Sequence, residues 1–427
     1  MSLLRTLVAS SLSVFASISH AATFTVVNGN DSGSGSLRAA IESANTTAAH
    51  DFITFNIPGP VPHAIFLAST LEILNPLTID GYTQPGASAN SAATGSNAQL
   101  KIVIDGSFTQ PDRFGALRDV LFEAHYGSTL RGIAFVRGRG ATIAISANSG
   151  DHTFTGNFVG LEPDGVTPAN SGNAFVIDGE FNRIGGTTRA ERNLFVTRNA
   201  IQIGGSTAVR NVIRGNLFGT DRFEQPLTLA GNPTAITIYG GSGYNRIGAY
   251  STDVPNVFAN QFTAVALPAS AGIGNEVAGN VYLGVTRPLD ASWSGNDAFD
   301  ADTGPNERMN TPQLTRAVID VIGDFAIDGQ LHSLPNSEFR FALYAADSCA
   351  PGARIDHLGM VTGYSFADGN ATLFWRSTIN PSGPLPRFVI ATAGVDTAFV
   401  DNTSPMSNCL AVQQPPRPDF MFANSFD

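Results

Sequence analysis

The tetrapeptide NRIG is written twice, at Asn182–Gly185 and again at Asn245–Gly248. Other pairs keep nearly the same offset. NLFVTRN begins at Asn193 and NVFANQF at Asn256, and NVIRGN (211–216) returns as NEVAGN (275–280). GN dipeptides place Asn157, Asn216 and Asn280 at similar steps. Independent motifs that recur about every 60 residues require stacked copies of one structural unit.

The content of the unit follows from its residues. Short apolar runs alternate with turn residues: ATIAI (141–145), AFVI (174–177), IQI (201–203), AITI (235–238) and AVAL (264–267). Period-2 runs bounded by Gly and Asn read as short strands. A unit this long holds two or three turns of a right-handed parallel β-helix. Ile143, Ile177, Ile203, Ile236 and Val265 should point inward and stack on neighbours about 4.8 Å away. Gly supplies the positive φ of tight corners, and Asn tolerates it while its carboxamide bonds to the next turn. Asn182, Asn211, Asn216, Asn245, Asn275 and Asn280 are therefore expected to be structural corners, with Arg183 and Arg246 pointing outward.

A stacked sheet needs its first edge covered. SGSLRAAIESAN supplies a cover: Ser36 can N-cap a helix whose Leu37, Ala40, Ile41 and Ala44 form one stripe, with Asn45 ending it. Leu37 and Ile41 should be buried against the first turn. TFTVV (23–27) and DFITFNI (51–57) read as flanking strands. After about residue 306 the corners stop, and some 100 residues with seven strand candidates suit a small immunoglobulin-like β-sandwich. The two cysteines, Cys349 and Cys409, are expected to form one disulfide there. Its reduction should loosen that module alone.

The expected organisation is a signal peptide (1–21), a β-helix with its cap (22–305), a sandwich (306–412) and a Pro-rich linker with a short tail (413–427). Residues 1–21 have an early cation, an apolar run and small residues near a cleavage point, the layout of a secretory signal. The protein is thus expected outside the cell or on its surface, with no transmembrane segment. Net charge is -11 and Lys101 is the only lysine. Without a basic stripe the chain is not expected to bind nucleic acid.

FTVVNGNDSGSGSLRAAIESAN, followed by ITFNIPG and LTIDGYTQPG, resembles the CSLREA-type opening of bacterial secreted right-handed parallel β-helix repeat proteins. The N-x-I-x-G-N and N-x-I-G-G units are similar to their repeats. DADTGPNERMNTPQLT (300–315) resembles the junction before their C-terminal β-sandwich. The chain departs at Gly35, where the family often has Cys, and at Ala39, where it often has Glu. The ending DFMFANSFD is similar to a short IF-x-x-GFE tail of exported proteins, with Ser425 and Asp427 in place of Gly and Glu.

The sequence offers no assembled catalytic motif. Asp151, His152, Glu162, Asp164, Asp178, Glu180, Glu191, Arg192 and Arg198 lie on different turns. Asp297, Asp300 and Asp302 form an oxygen-rich loop that a structural calcium could use; the other reading is a solvated acidic hinge. No other cofactor is expected. Tyr239, Tyr244, Tyr250 and Trp293 are candidates for a sugar-stacking platform. The expected function is a non-enzymatic scaffold that binds polysaccharide or a cell-surface ligand. The alternative is a polysaccharide lyase or glycoside hydrolase with a divergent site; a ligand-free matrix component is a third reading.

Overall fold

The computed structural model describes residues 20–114, 116–169, 172–248, 254–293, 295–379, 385–395 and 402–414. The expected signal peptide and C-terminal tail lie outside these residues, apart from 20–21 and 413–414. The described chain is dominated by β-strands, and its long sheets are parallel. Thr23–Val26 pairs with the next strand, Asp51–Phe55, and from there to Arg287–Ala291 the chain visits three sheets in rotation, so that strands three apart in sequence pair. The first sheet ends on Glu276–Ala278, the second on Val281–Leu283 and the third on Arg287–Ala291.

Period-2 alternation decides which side faces in. Ile143, Ile177, Ile203, Ile236 and Val265 are all fully buried, as expected. In register, Ile145 lies beside Ile177, Ile177 beside Ile203, and Ile236 beside Val265. A column of rings runs through the same core: Phe122, Phe154, Phe175, Phe195, Phe218, Phe258 and Tyr282, neighbours 4.7–5.7 Å apart. Full burial of each stabilises by roughly 1.5–3 kcal/mol.

The corner asparagines form two separate rows. In one, each backbone N–H donates to the side chain of the next turn: Ser128 to His152 Nδ1, His152 to Asn182, Asn182 to Asn211, Asn211 to Asn245, Asn245 to Asn275 and Asn275 to Asn306. The other row links Asn157, Asn193, Asn216, Asn256 and Asn280. These buried side chains satisfy backbone donors at bends, where a strand ladder cannot reach. Arg183 and Arg246, one residue further on, are exposed.

The cap helix is Leu37–Ala44, with Ser36 Oγ accepting from Ala39 N at 3.2 Å. Leu37 and Ile41 are buried in the main core. Asn45 ties the helix end to the next turn, donating to Glu72 O and accepting from Leu74 N.

At the other end, seven strands form two antiparallel sheets. One contains Gln313–Ile319, Asp324–His332 and Asn370–Thr378; the other contains Ile355–Tyr364, Glu338–Ala346, Phe388–Val395 and Leu410–Ala411. The latter continues the second parallel sheet through the pair Tyr282 and Ile355. The polar and aromatic rows also cross the junction. Asn306 donates to Asn275 O and Thr403 O, and Tyr344 OH accepts from Gly279 N. Cys349 and Cys409 are joined, with Cα atoms 5.7 Å apart. Cys409 packs on the main core, and Gly352 in the Cys349 loop donates to Val285 O. The disulfide therefore sits at the junction, not within an isolated module as the sequence suggested. Gln413, expected to open the linker, instead bonds to Ala317 and Ile319.

Candidate functional site

The residue before each member of the first polar row occupies a corner that needs a left-handed backbone. Along consecutive turns these residues are Gly127, Asp151, Phe181, Arg210, Tyr244 and Gly274, with φ of 83°, 52°, 58°, 57°, 57° and 74°. Glycine takes this conformation freely, whereas another L-residue costs roughly 1–2 kcal/mol. In the second row the left-handed corners are glycine, at 156, 215 and 279, while Arg192 and Pro255 precede the other two asparagines without a left-handed backbone. Non-glycine residues take this conformation elsewhere too, at Ala124, Arg137, Glu224 and Asn260 for example, but here four fall on successive turns in one line, and strain of this kind concentrates at functional sites.

The side chains of Asp151, Phe181 and Arg210 line a shallow groove of about 500 Å³ with Tyr126, Arg183 and Val212. The Arg210 guanidinium stacks between the rings of Phe181 and Tyr244, 5.6 and 5.7 Å from their centroids. Phe181 and Tyr126 remain 42% and 46% exposed. Tyr244 can lie flat because Gly274 has no Cβ; one built there would come within 2.6 Å of the ring. Tyr126 OH donates to Glu180 Oε1 at 3.2 Å. Partial desolvation, with that carboxylate beside it, raises the phenol's pKa.

This groove lies beside the outward face of the first sheet. The outside of the second parallel sheet carries its own apolar layer, including Phe158, Leu194 and Leu217, packed against Ala98, Leu100 and Leu161. Arg222 fastens the covering segment through Ser96 O and Ala98 O. The first sheet instead presents Thr78, Thr129, Thr153, Arg183, Val212 and Arg246 in one outward register.

Asp297, Asp300 and Asp302 converge, each offering an oxygen within 4.8 Å of the others. Asp300 is buried rather than solvated, and accepts from Asn310 N and Ser333 Oγ. Burial pushes its pKa up to about 6. Asp297 Oδ2 holds Ala301 N and Asp302 N. Asp297 Oδ1 and Asp302 Oδ1 are left without a hydrogen-bond partner, while Asp297 Oδ2 and both oxygens of Asp300 bind within the junction. The loop thus clamps the junction through its own hydrogen bonds.

Most other sequence candidates have structural occupations. His152 is buried in the polar row, its Nε2 paired with Ser149 Oγ at 2.8 Å. Its Nδ1 accepts from Ser128 N, so the ring must be neutral, and burial pushes its pKa down to about 3. Glu162 pairs with Arg137, Arg192 with Glu224, and Glu191 caps a short turn with Thr188. Asp164 holds the turn to Thr167. Of the stacking candidates, Tyr244 backs Arg210 at the groove's edge, but Trp293 is buried with Nε1 donating to Met309 O. Tyr250 lies outside the described residues.

Two features went unread in the sequence. Phe181 and Arg210 follow no motif, and the available signal was negative: the residue before the Asn is not the Gly of the GN corners. The second is Asp119, buried where Gly106 and Gly138 leave room for its carboxylate. It accepts from Thr109 Oγ1, and burial pushes its pKa up to about 7, with Asp105 adding to the rise. In comparisons with known proteins, the chain matches no family model and no curated protein.

Proposed function

We propose that the protein is an exported right-handed parallel β-helix with a CSLREA-type cap and an immunoglobulin-like C-terminal module, and that it binds polysaccharide along this groove. The observation that carries the binding reading is the run of non-glycine left-handed corners, Asp151, Phe181, Arg210 and Tyr244. A chain that uses glycine at equivalent bends keeps costly side chains here, and those side chains form an exposed ring–guanidinium–ring row. Flat apolar rings edged by hydrogen-bond donors suit sugar rings, which have apolar faces and hydroxyl rims. Parallel sheets visited in rotation, the buried asparagine rows and the capped first edge support the β-helix reading.

Purified protein should be tested by calorimetry against neutral and acidic polysaccharides, with chain cleavage followed in the same samples. Binding without cleavage, lost in Phe181→Ala with Tyr244→Ala, is the expected result. Binding unchanged in that variant would remove the groove from the account, and accumulation of cut product would make the protein an enzyme.

A further inference from the structure

Resting on that reading, we infer that the groove selects a carboxylated glycan, laid parallel to the stack with its carboxylates on Arg210 and Arg183. Both guanidiniums line the groove, and neither has a carboxylate partner among the described residues. Several other surface arginines are spent internally: Arg131 on Asp80, Arg137 on Asp105 and Glu162, Arg246 on Glu276. Arg210 is held by its two flat faces, between Phe181 and Tyr244. Stacking fixes the plane and leaves the in-plane N–H edge unspent, the edge that meets a carboxylate with two parallel hydrogen bonds.

The negative groups around the groove set direction. Asp151 lines it beside Phe181, and Glu180 is held by Tyr126. They repel carboxylates from that end and leave the Arg183 and Arg210 end as the acidic subsite. Turns are spaced about 4.8 Å apart, close to the length of one pyranose in a chain. A polymer along the axis thus places successive sugars over successive corners, passing the edges of Phe181 and Tyr244, whose facing sides hold Arg210, with a carboxylate on Arg210 between them.

The test compares oligogalacturonate with the same oligomer after reduction of its carboxyl groups, by calorimetry in EDTA, for the parent, Arg210→Gln and Arg210→Gly. The glycine variant suits a left-handed corner and controls for misfolding. The expected result is at least tenfold tighter binding of the carboxylated oligomer by the parent, with the preference erased in both variants. Equal binding of the two oligomers, or a preference that survives Arg210→Gln, would overturn the inference while leaving glycan binding in place. Failure of the parent to bind either oligomer, or any of the neutral and acidic polysaccharides, would overturn the reading on which it rests.

Discussion

Asn211 makes four hydrogen bonds with one buried carboxamide: Oδ1 accepts from Asn182 N and Nδ2, and Nδ2 donates to Gly179 O and Asn245 Oδ1. Asn211→Ala orphans two donors on Asn182 and takes a donor from Gly179 O and Asn245 Oδ1, and such buried groups cost about 1–3 kcal/mol each when left unsatisfied. Chemical denaturation should show a loss of about 3 kcal/mol or more; a change under 1 kcal/mol would mean that water replaces the row. His152 and Asp119 give opposite pH slopes. The pKa of His152 falls on folding, so between pH ~6.5 and ~3 the unfolded chain takes up a proton that the folded one refuses, and stability drops as pH falls. The pKa of Asp119 rises, so its contribution is full below pH ~4 and is lost as pH climbs through ~7. Each slope is at most about 1.4 kcal/mol per pH unit. His152→Asn, which restores the residue used elsewhere in the row, should flatten the acid limb, and Asp119→Asn the neutral one. Limbs that do not respond would assign the dependence to other groups. The asparagine corners were legible because a repeat exposes them. The single buried Asp119 was not, since its burial depends on a loop and two distant glycines.

Among the elements, the cap helix was the most legible, because capping and apolar stripe are local signals. Ser36, Asn45, Leu37 and Ile41 all take the expected places. Ile41 is 1% exposed, so Ile41→Asp buries a charge without a partner. That should cost several kcal/mol and expose the first sheet edge. Light scattering and thermal unfolding check it; a variant as soluble and stable as the parent would show that the helix is not a cover. The strands of the stack were equally readable from period-2 alternation. The groove was not, because a left-handed corner leaves no periodic trace when the residue is Phe, Arg or Tyr. Trp293 failed as a platform residue for a related reason: aromatic type does not say which way a turn residue faces.

Across the whole molecule, the junction binds the two architectures together. Sheet pairing, the asparagine row and the aromatic column all cross it, at Ile355, Asn306 and Tyr344. The disulfide closes a sequence separation of 60, worth about 4 kcal/mol in the chain-entropy model. Because the Cys349 loop bonds to Val285 of the stack and Cys409 packs on the core that spans the junction, reduction should lower one cooperative transition rather than release a separate module. Calorimetry showing two transitions, with only one moved by reductant, would separate the units. The sequence located the two cysteines but could not locate the junction, which depends on strands far apart in the chain meeting at one edge. The proposed role of the strained corners is to serve a ligand rather than the fold. It is tested by replacing Phe181, Arg210 and Tyr244 together with glycine and measuring Tm and polysaccharide binding on the same preparation. The account predicts a Tm equal to or above the parent's, since strain is relieved, with binding abolished. A Tm several degrees lower, or binding retained, would contradict it.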